Sequence, residues 1–265
     1  MHSGSDERFA AIRRLCGERA AAYIVQLHLC IVGIGGVGSW TAEALARSGV
    51  GRLTLIDNDT IDLSNTNRQI HALEDTVGQS KVRVMAERIR AINPECSVHA
   101  IDDFLTLQTL GEYVQPALGY DYVIDAIDSI KFKCALIQHC RRQKIPIIMT
   151  GGAGGLTDPS KIQISDLSKT YNDPLAAKVR AQLRSDYGYP GAGRRMGVEC
   201  VFSSQQPLYP QADGRVSHAK PGIHGVSLDC RFGYGSASFV TATFGFFAAA
   251  RALEKALAKR SQQVL

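Results

Sequence analysis

The sequence predicts an α/β fold, in which helices cover both faces of a mainly parallel sheet. Short apolar segments alternate with longer segments of helical periodicity along residues 1–155, and this alternation is typical of a parallel sheet with covered faces. In addition, a glycine-rich turn follows the first apolar segment and leads directly into a helical pattern, as in nucleotide-binding strand–turn–helix units.

The predicted elements can be placed in chain order. An N-terminal helical segment covers Arg8 to Val25, and Asn93-Pro94 ends the clearest internal helix. Strands are expected near 28–34, 52–57, 97–102, 121–126 and 145–150. Helices are expected near 39–48, 79–92, 106–116 and 130–143.

The pattern changes after Gly155. We therefore predict a nucleotide-binding region of residues 1–155 and a C-terminal extension of residues 156–265 packed on the same domain. The extension begins with an alternating strand (Ile162–Leu167) and a short basic helix (Leu175–Leu183). Residues 184–225 are rich in Gly, Pro, Ser and Gln and predict a long, mobile, irregular loop interrupted by Val198–Ser203. A terminal helix is expected at about 236–260.

Composition indicates an ordinary soluble protein of 265 residues, with 45% apolar and 21% charged residues. The net charge of +5 permits an anionic partner without demonstrating one. Seven cysteines form no C-x-x-C pair and no secretory signal is recognised, which favours the reducing cytoplasm. Residues 232–250 carry no charge, but their glycines and short hydrophobic part favour a buried helix over a membrane span.

The glycine turn is the strongest functional signal. Four glycines lie within six residues between a strand and a helix: Gly33, Gly35, Gly36 and Gly38. Such a turn lets the backbone approach a phosphate, and the following helix offers free amides and a positive dipole end. Asp57 ends the next strand, where an acid holds ribose hydroxyls. The pattern indicates a Rossmann-like nucleotide-binding unit but leaves the nucleotide open.

Three charged residues further along the chain favour ATP. Arg68 and Lys81 add two cations near the turn, more than a pyrophosphate held by backbone amides requires, and they suit a triphosphate. Asp128 follows the strand at 121–126 and places a carboxylate at the same sheet edge, where Mg²⁺ would find an oxygen ligand beside phosphates. The alternative, an NAD-dependent oxidoreductase, leaves Arg68 and Lys81 without a purpose.

These motifs resemble, in order, those of the adenylating superfamily that includes ubiquitin-activating enzymes, ThiF, MoeB and HesA. The matching pieces are GIGGVGS (33–39), DND (57–59), SNTNRQ (64–69), GQSK (78–81) and DAIDS (125–129). Within the superfamily the chain is most similar to the tRNA threonylcarbamoyladenosine dehydratase branch, the TcdA or CsdL type. The segments that suggest this branch are SNTNRQIHAL (64–73), TGGAGG (150–155), DPLAAK (173–178), VECVFS (198–203) and VTATFGF (240–246).

The resemblance implies roles for individual residues. Arg68, Lys81 and Asp128 fall on the catalytic phosphate- and metal-proximal positions, and Asn65 falls on a nucleotide-site position. Adenylating relatives also insert an N-terminal arginine into the partner subunit's ATP site. Arg8 is the best candidate for that arginine, and its close rivals are Arg13 and Arg14. This role implies a symmetric homodimer.

The resemblance further implies that a carboxylate is adenylated by ATP and Mg²⁺. In the dehydratases this carboxylate belongs to threonylcarbamoyladenosine, next to the anticodon of tRNA, and ring closure then removes one water. The C-terminal extension offers cations for a tRNA backbone: Lys178, Arg180, Arg184, Arg194, Arg195, Lys255, Lys259 and Arg260. A sulfur-transfer partner, either a cysteine desulfurase or an acceptor, stays open.

The alternative within the superfamily is an activator of a ubiquitin-like sulfur-carrier protein. MoeB- and ThiF-type relatives carry a structural zinc on two C-x-x-C pairs, which this chain lacks, so we expect no structural zinc. Cys200 and Cys230 are the candidates for covalent chemistry, and Arg231 beside Cys230 would favour its thiolate. We nevertheless predict a structural role for both cysteines.

Overall fold

The computed structural model describes residues 7–211, 213–220 and 234–262. The helices of these residues are α1 (Ala10–Cys16), α2 (Glu18–Ile24), α3 (Gly38–Arg47), α4 (Lys81–Ile92), α5 (Leu110–Tyr113), α6 (Ile130–Gln143), α7 (Pro174–Tyr187) and α8 (Ser238–Gln262). The strands are β1 (His28–Val32), β2 (Arg52–Ile56), β3 (Ser97–Ile101), β4 (Tyr122–Asp125), β5 (Ile147–Thr150), β6 (Ile162–Asp166), β7 (Glu199–Ser203), β8 (Tyr209–Pro210) and β9 (Val216–Ser217).

Seven strands form one sheet in the order β3-β2-β1-β4-β5-β7-β6. All neighbouring pairs are parallel except β6, which runs antiparallel to β7. The chain builds outward from β1 through β2 to β3, and then places β4 on the other side of β1. This reversal of strand order is the position at which open α/β sheets bind ligands, outside the carboxyl ends of the strands.

The register brings the predicted site motifs to that position. Val32 of β1 pairs with Ile56 of β2 and with Asp125 of β4, so the three strands end side by side. The glycine turn, Asp57 and the turn after Asp125 therefore begin at one edge of the sheet, which we call the carboxyl edge. The opposite edge, where the parallel strands begin, is the amino edge.

The predicted α/β fold is confirmed, and the buried strands are mostly apolar because helices cover both faces of the sheet. The terminal helix is also confirmed, at Ser238–Gln262. Its uncharged part packs on α3, where a side chain at Gly245 would begin only 2.7 Å from the carbonyl oxygen of Val37. Among the described residues, no helix is both long and apolar enough to cross a membrane.

Some predicted elements differ in length. Gly17, with a positive φ of 85°, divides the predicted N-terminal helix into α1 and α2. The helix expected at 106–116 is only the single turn α5. The segment expected to be a long loop includes the end of α7, strand β7 and the β8–β9 hairpin, while residues 212 and 221–225 lie outside the described residues. The mobility of this segment and the boundary at residue 155 stay predictions.

Candidate functional site

The four glycines of the turn meet different surroundings. Gly33 has a positive φ of 89°, and a side chain there would begin 2.8 Å from the carbonyl oxygen of Ala126. At Gly38 it would begin 1.8 Å from the carbonyl oxygen of Gly33. These two glycines are required by the fold of the turn itself. Gly35, in contrast, has its nearest atom 4.0 Å away, so the protein leaves room there for a ligand.

Asp57 shapes this turn from the end of β2. Its Oδ2 accepts a hydrogen bond from the amide of Ile34 at 2.5 Å, and its Oδ1 accepts one from the amide of Asp59 at 2.8 Å. Burial raises the pKa of the Asp57 carboxyl, although these hydrogen bonds and the nearby Lys81 ammonium act in the opposite direction. Asp57 therefore fixes the turn in addition to the ribose-binding role that its position predicts.

Lys81 is brought to the same edge by a short antiparallel contact. The amide of Ile61 donates to the carbonyl of Gln79, and the amide of Lys81 donates to the carbonyl of Asp59. As the first residue of α4, Lys81 then places its Nζ 2.7 Å from Asp59 Oδ2. The Lys81 side chain is 7% exposed and that of Asp59 is 59% exposed. A buried ammonium with one solvated partner is suited to accept a phosphate as a second anion.

Arg68 lies over the glycine turn. Its main chain is held because its carbonyl accepts hydrogen bonds from Trp40 Nε1 at 3.0 Å and from Thr241 Oγ1 at 3.2 Å. Its side-chain methylene carbons lie 3.5 Å from the point where a Gly36 side chain would begin. Its guanidinium donates to the carbonyl of Ser64 at 2.7 Å. The structure therefore brings Arg68 together with the turn, as the sequence predicts.

Of the two asparagines of the same motif, Asn65 has a local contact and Asn67 a distant one. Asn65 Oδ1 accepts a hydrogen bond from the amide of Asp62 and closes a one-turn 3₁₀ helix, Leu63–Asn65. Its role toward a nucleotide stays a prediction. Asn67 donates to the carbonyl of Ser236 at 2.9 Å and so joins this loop to the segment before α8.

The carboxylates at the end of β4 have different environments. Asp125 is fully buried, with its Oδ1 2.9 Å from Lys133 Nζ. Asp128, three residues further, is exposed and makes no hydrogen bond or ion pair within the described ranges. Asp128 is therefore the carboxylate that is available to a ligand or a bound cation.

Two buried residues near the site were missed by sequence reasoning. His71 Nε2 donates to the carbonyl of Ile34 at 3.0 Å, and burial, assisted by the Lys81 ammonium, lowers the pKa of His71 to about 4. Nothing in the sequence distinguishes this histidine. Lys133 could have been noticed, because at helical spacing it shares the buried face of α6 with Ile137 and Cys140.

Arg8 lies at the amino edge of its own protomer. Its Nη1 donates to the carbonyl of Ile92, at the end of α4, at 2.9 Å. Strand β3 begins only five residues after Ile92, so this contact is at the opposite end of the sheet from the glycine turn. Within its own protomer Arg8 does not reach the site, and its contribution to a partner's site stays a prediction.

The structure argues against the interpretation of Cys200 as a reactive thiol. Cys200 is fully buried in β7, among the side chains between the sheet and α7. Burial raises the pKa of its thiol well above the usual range, whereas a nucleophilic cysteine needs an accessible thiolate. Cys230 and its neighbour Arg231 lie outside the described residues.

Comparisons with known proteins agree with this arrangement. The model of the ThiF family matches residues 8–264. The tRNA threonylcarbamoyladenosine dehydratase of Escherichia coli (strain K12) is 54% identical over 259 residues, covering 97% of this chain and 96% of that protein. The Haemophilus influenzae protein of the same name is 49% identical, covering 97% and 95%. The solved structure of E. coli TcdA in complex with ATP covers 97% of both chains at 50% identity, with a TM-score of 0.85.

Proposed function

The chain belongs to the ThiF family, and we propose that it catalyses the ATP-dependent dehydration of threonylcarbamoyladenosine next to the anticodon of tRNA. One observation carries the proposal: Arg68 lies against a glycine turn that is open at Gly35, and the buried Lys81 ammonium lies at the same sheet edge, near Asp57. Two relatives named tRNA threonylcarbamoyladenosine dehydratase, one from E. coli and one from H. influenzae, match almost the whole chain. A solved structure of the E. coli relative contains ATP.

The first step is the adenylation of the carboxylate. A carboxylate oxygen attacks the α-phosphorus of ATP, the bond to the bridging oxygen breaks, and pyrophosphate leaves. The backbone of the turn at Gly35 approaches the phosphates, while Arg68 and Lys81 hold the charge that moves to pyrophosphate. Asp57 holds the ribose hydroxyls through the lone pairs that its bonds to Ile34 and Asp59 leave free.

The second step closes a ring. A nucleophile in the same modified side chain attacks the activated carbonyl carbon, its proton is released, and AMP leaves with its electron pair. The sum is the loss of one water from the nucleoside, driven by conversion of ATP to AMP and pyrophosphate. Because nucleophile and acyl group belong to one molecule, the enzyme has to supply activation and positioning rather than an external nucleophile.

Magnesium fits the site through Asp128. This carboxylate is exposed, has no partner among the described residues, and follows β4 at the carboxyl edge. A hard oxygen ligand of this kind, together with phosphate oxygens, is what Mg²⁺ prefers. When bound, the ion would neutralise part of the phosphate charge.

We also propose a homodimer in which Arg8 enters the partner's site, since Arg8 is remote from its own.

The decisive assay combines the purified protein with ATP, Mg²⁺ and tRNA that carries threonylcarbamoyladenosine, followed by nucleoside mass spectrometry. We expect the nucleoside to lose the mass of one water. Arg68→Ala and Lys81→Ala should abolish the conversion. The matched control is Arg83→Ala, because Arg83 lies on the same helix as Lys81 with 74% of its side chain exposed.

Two outcomes would contradict the proposal. ATP turnover without any change in the nucleoside would remove the dehydratase assignment. Adenylation of a sulfur-carrier protein instead of the modified tRNA would favour the alternative activity. The sulfur-transfer partner and the cytoplasmic location stay predictions, and so does the assignment of residues 1–155 as the adenylation region.

A further inference from the structure

A buried ion pair lies beneath the turn that carries Asp128. Lys133 Nζ is 2.9 Å from Asp125 Oδ1, and both side chains are 0% exposed. The same ammonium donates to the carbonyl of Asp125 at 3.4 Å. Lys133 belongs to the first turn of α6, so it reaches back over the start of its helix to the end of β4. The adenylation steps use neither member of the pair.

The pair holds the backbone that leads to Asp128. Asp125 Oδ1 accepts a hydrogen bond from the amide of Ile127 at 3.1 Å, and the Asp125 carbonyl accepts one from Thr150 Oγ1 at 3.2 Å. The amide of Ala126 donates to the carbonyl of Val32 at 2.8 Å, which attaches the turn to β1. Every residue from 125 to 127 is therefore held, and Asp128 is the first residue after this segment.

A second buried carboxylate lies near the same ammonium. Asp173 accepts a hydrogen bond from the amide of Gly152 at 3.0 Å and caps α7 by accepting one from the amide of Ala176 at 2.9 Å. Burial raises the pKa of Asp125 and of Asp173, and the Lys133 ammonium opposes the rise in both. One buried cation thus stands between the turn after β4 and the start of α7.

Stability alone does not account for this arrangement. Removing two charges from water is costly, and an apolar pair of similar volume is often as stable as a buried ion pair. What an apolar pair cannot supply is the hydrogen bond to the Ile127 amide or the contact with the Asp125 carbonyl. These contacts therefore indicate that the ion pair holds the conformation of the 125–127 backbone rather than adding to the stability of the fold.

We propose that Lys133 is a positioning residue that, through Asp125, fixes the 125–127 turn so that Asp128 faces the phosphates bound at the glycine turn. The inference rests on the proposed function for the identity of the reaction. It does not rest on it for the geometry of the turn, which can be measured without any substrate.

The test uses the full chain with Asp125→Val and Lys133→Met combined, an apolar pair that removes the acceptor for the Ile127 amide. Lys133→Met alone would leave a buried carboxylate without its cation. We expect the double variant to fold, kcat to fall by about ten- to a hundredfold, and the KM for tRNA to stay unchanged. Adding Asp128→Ala should lower kcat by a smaller factor in the double variant than in the wild type, since both changes act on the same contribution. The single variant Lys133→Arg, which keeps the charge and the hydrogen-bond donors, should retain most of the wild-type kcat.

Amide hydrogen exchange of residues 125–130 in the free protein provides the readout that is independent of the reaction. We expect faster exchange in the double variant than in the wild type. Wild-type kcat or wild-type exchange in the double variant would overturn the inference. Should that variant not fold, Asp125→Asn keeps the acceptor for the Ile127 amide but removes the charge that pairs with Lys133, and wild-type kcat together with wild-type exchange in it would overturn the inference as well. Wild-type protein that does not dehydrate the nucleoside would refute the proposed function, while the exchange measurement still decides the role of Lys133.

Discussion

Replacing Gly35 by alanine should separate ATP binding from folding. A methyl group at Gly35 has its nearest neighbour 4.0 Å away, and the residue does not have a positive φ. The free energy of unfolding should therefore change by no more than about 1 kcal/mol in either direction. The same methyl group would lie where a phosphate approaches the backbone. We expect the Kd for ATP to rise by about tenfold or more, equivalent to at least roughly 1.4 kcal/mol.

Gly38→Ala should have the opposite result. The added carbon would lie 1.8 Å from the carbonyl oxygen of Gly33, whereas real contacts of this kind are essentially never below 3.0 Å. Because the obstacle is backbone, the turn and the first residues of α3 must move apart. Overpacking of this severity costs about 2–3 kcal/mol or more. At roughly 2–4 °C per kcal/mol for a chain of this size, Tm should fall by about 4–12 °C.

Thermal melts and calorimetric titration with ATP measure both effects on the same samples. Gly111→Ala is the matched control, since Gly111 lies on α5, outside the turn, with nothing within 4 Å of an added carbon. Wild-type ATP affinity in Gly35→Ala would show that phosphates do not approach this residue. A wild-type Tm in Gly38→Ala would refute the steric argument for the turn.

Since the pKa of His71 is lowered to about 4 from 6.5, the unfolded chain binds this proton first, and the free energy of unfolding should fall by roughly 3 kcal/mol from pH 6.5 to 4. Denaturant melts that show the same fall for His71→Gln would remove this assignment. Cys200→Ala should keep wild-type dehydratase activity, and loss of activity in a folded variant would restore the reactive thiol. Mixed Arg8→Ala and Asp128→Ala subunits should recover up to one working site per heterodimer, and no recovery despite verified exchange would place Arg8 elsewhere.

Local sequence patterns were sufficient for the scaffold of the site. The glycine spacing from Gly33 to Gly38 and the acid at Asp57 predict a turn and a strand end from neighbours only a few residues apart. The apolar strands could be located for the same reason. Because parallel strands end at a common edge, even the proximity of Asp57 and Asp128 followed from the fold class.

The partners of these residues could not be predicted, because they depend on contacts between distant segments. Asp59 pairs with Lys81 through an antiparallel contact that no periodicity signals. The carbonyl of Arg68 is held by Thr241, which is 173 residues away in the sequence. The burial of Cys200 likewise depends on β7 lying between β5 and β6.

The basic residues of the C-terminal extension show most clearly why sequence order does not give position relative to the site. The first turn of helix α8 contacts Arg68 through Thr241. The other end of α8 is fixed by Arg260, whose guanidinium donates to Asp121, just before β4, at 2.8 and 3.0 Å. The 19 residue steps from Thr241 to Arg260 span about 29 Å of helix, so the cations at the end of α8 lie at the amino edge.

Lys178 is placed differently. It is exposed and lies just over one turn inside α7. The N-cap of this helix, Asp173, also holds Gly152, two residues after β5 at the carboxyl edge. The guanidinium of Arg180, on the same helix, already donates hydrogen bonds to the carbonyls of Leu167 and Thr170. If an anticodon loop occupies the carboxyl edge, Lys178 is therefore available to the phosphates near the modified base, whereas contact with Arg260 would require the RNA to extend along the molecule.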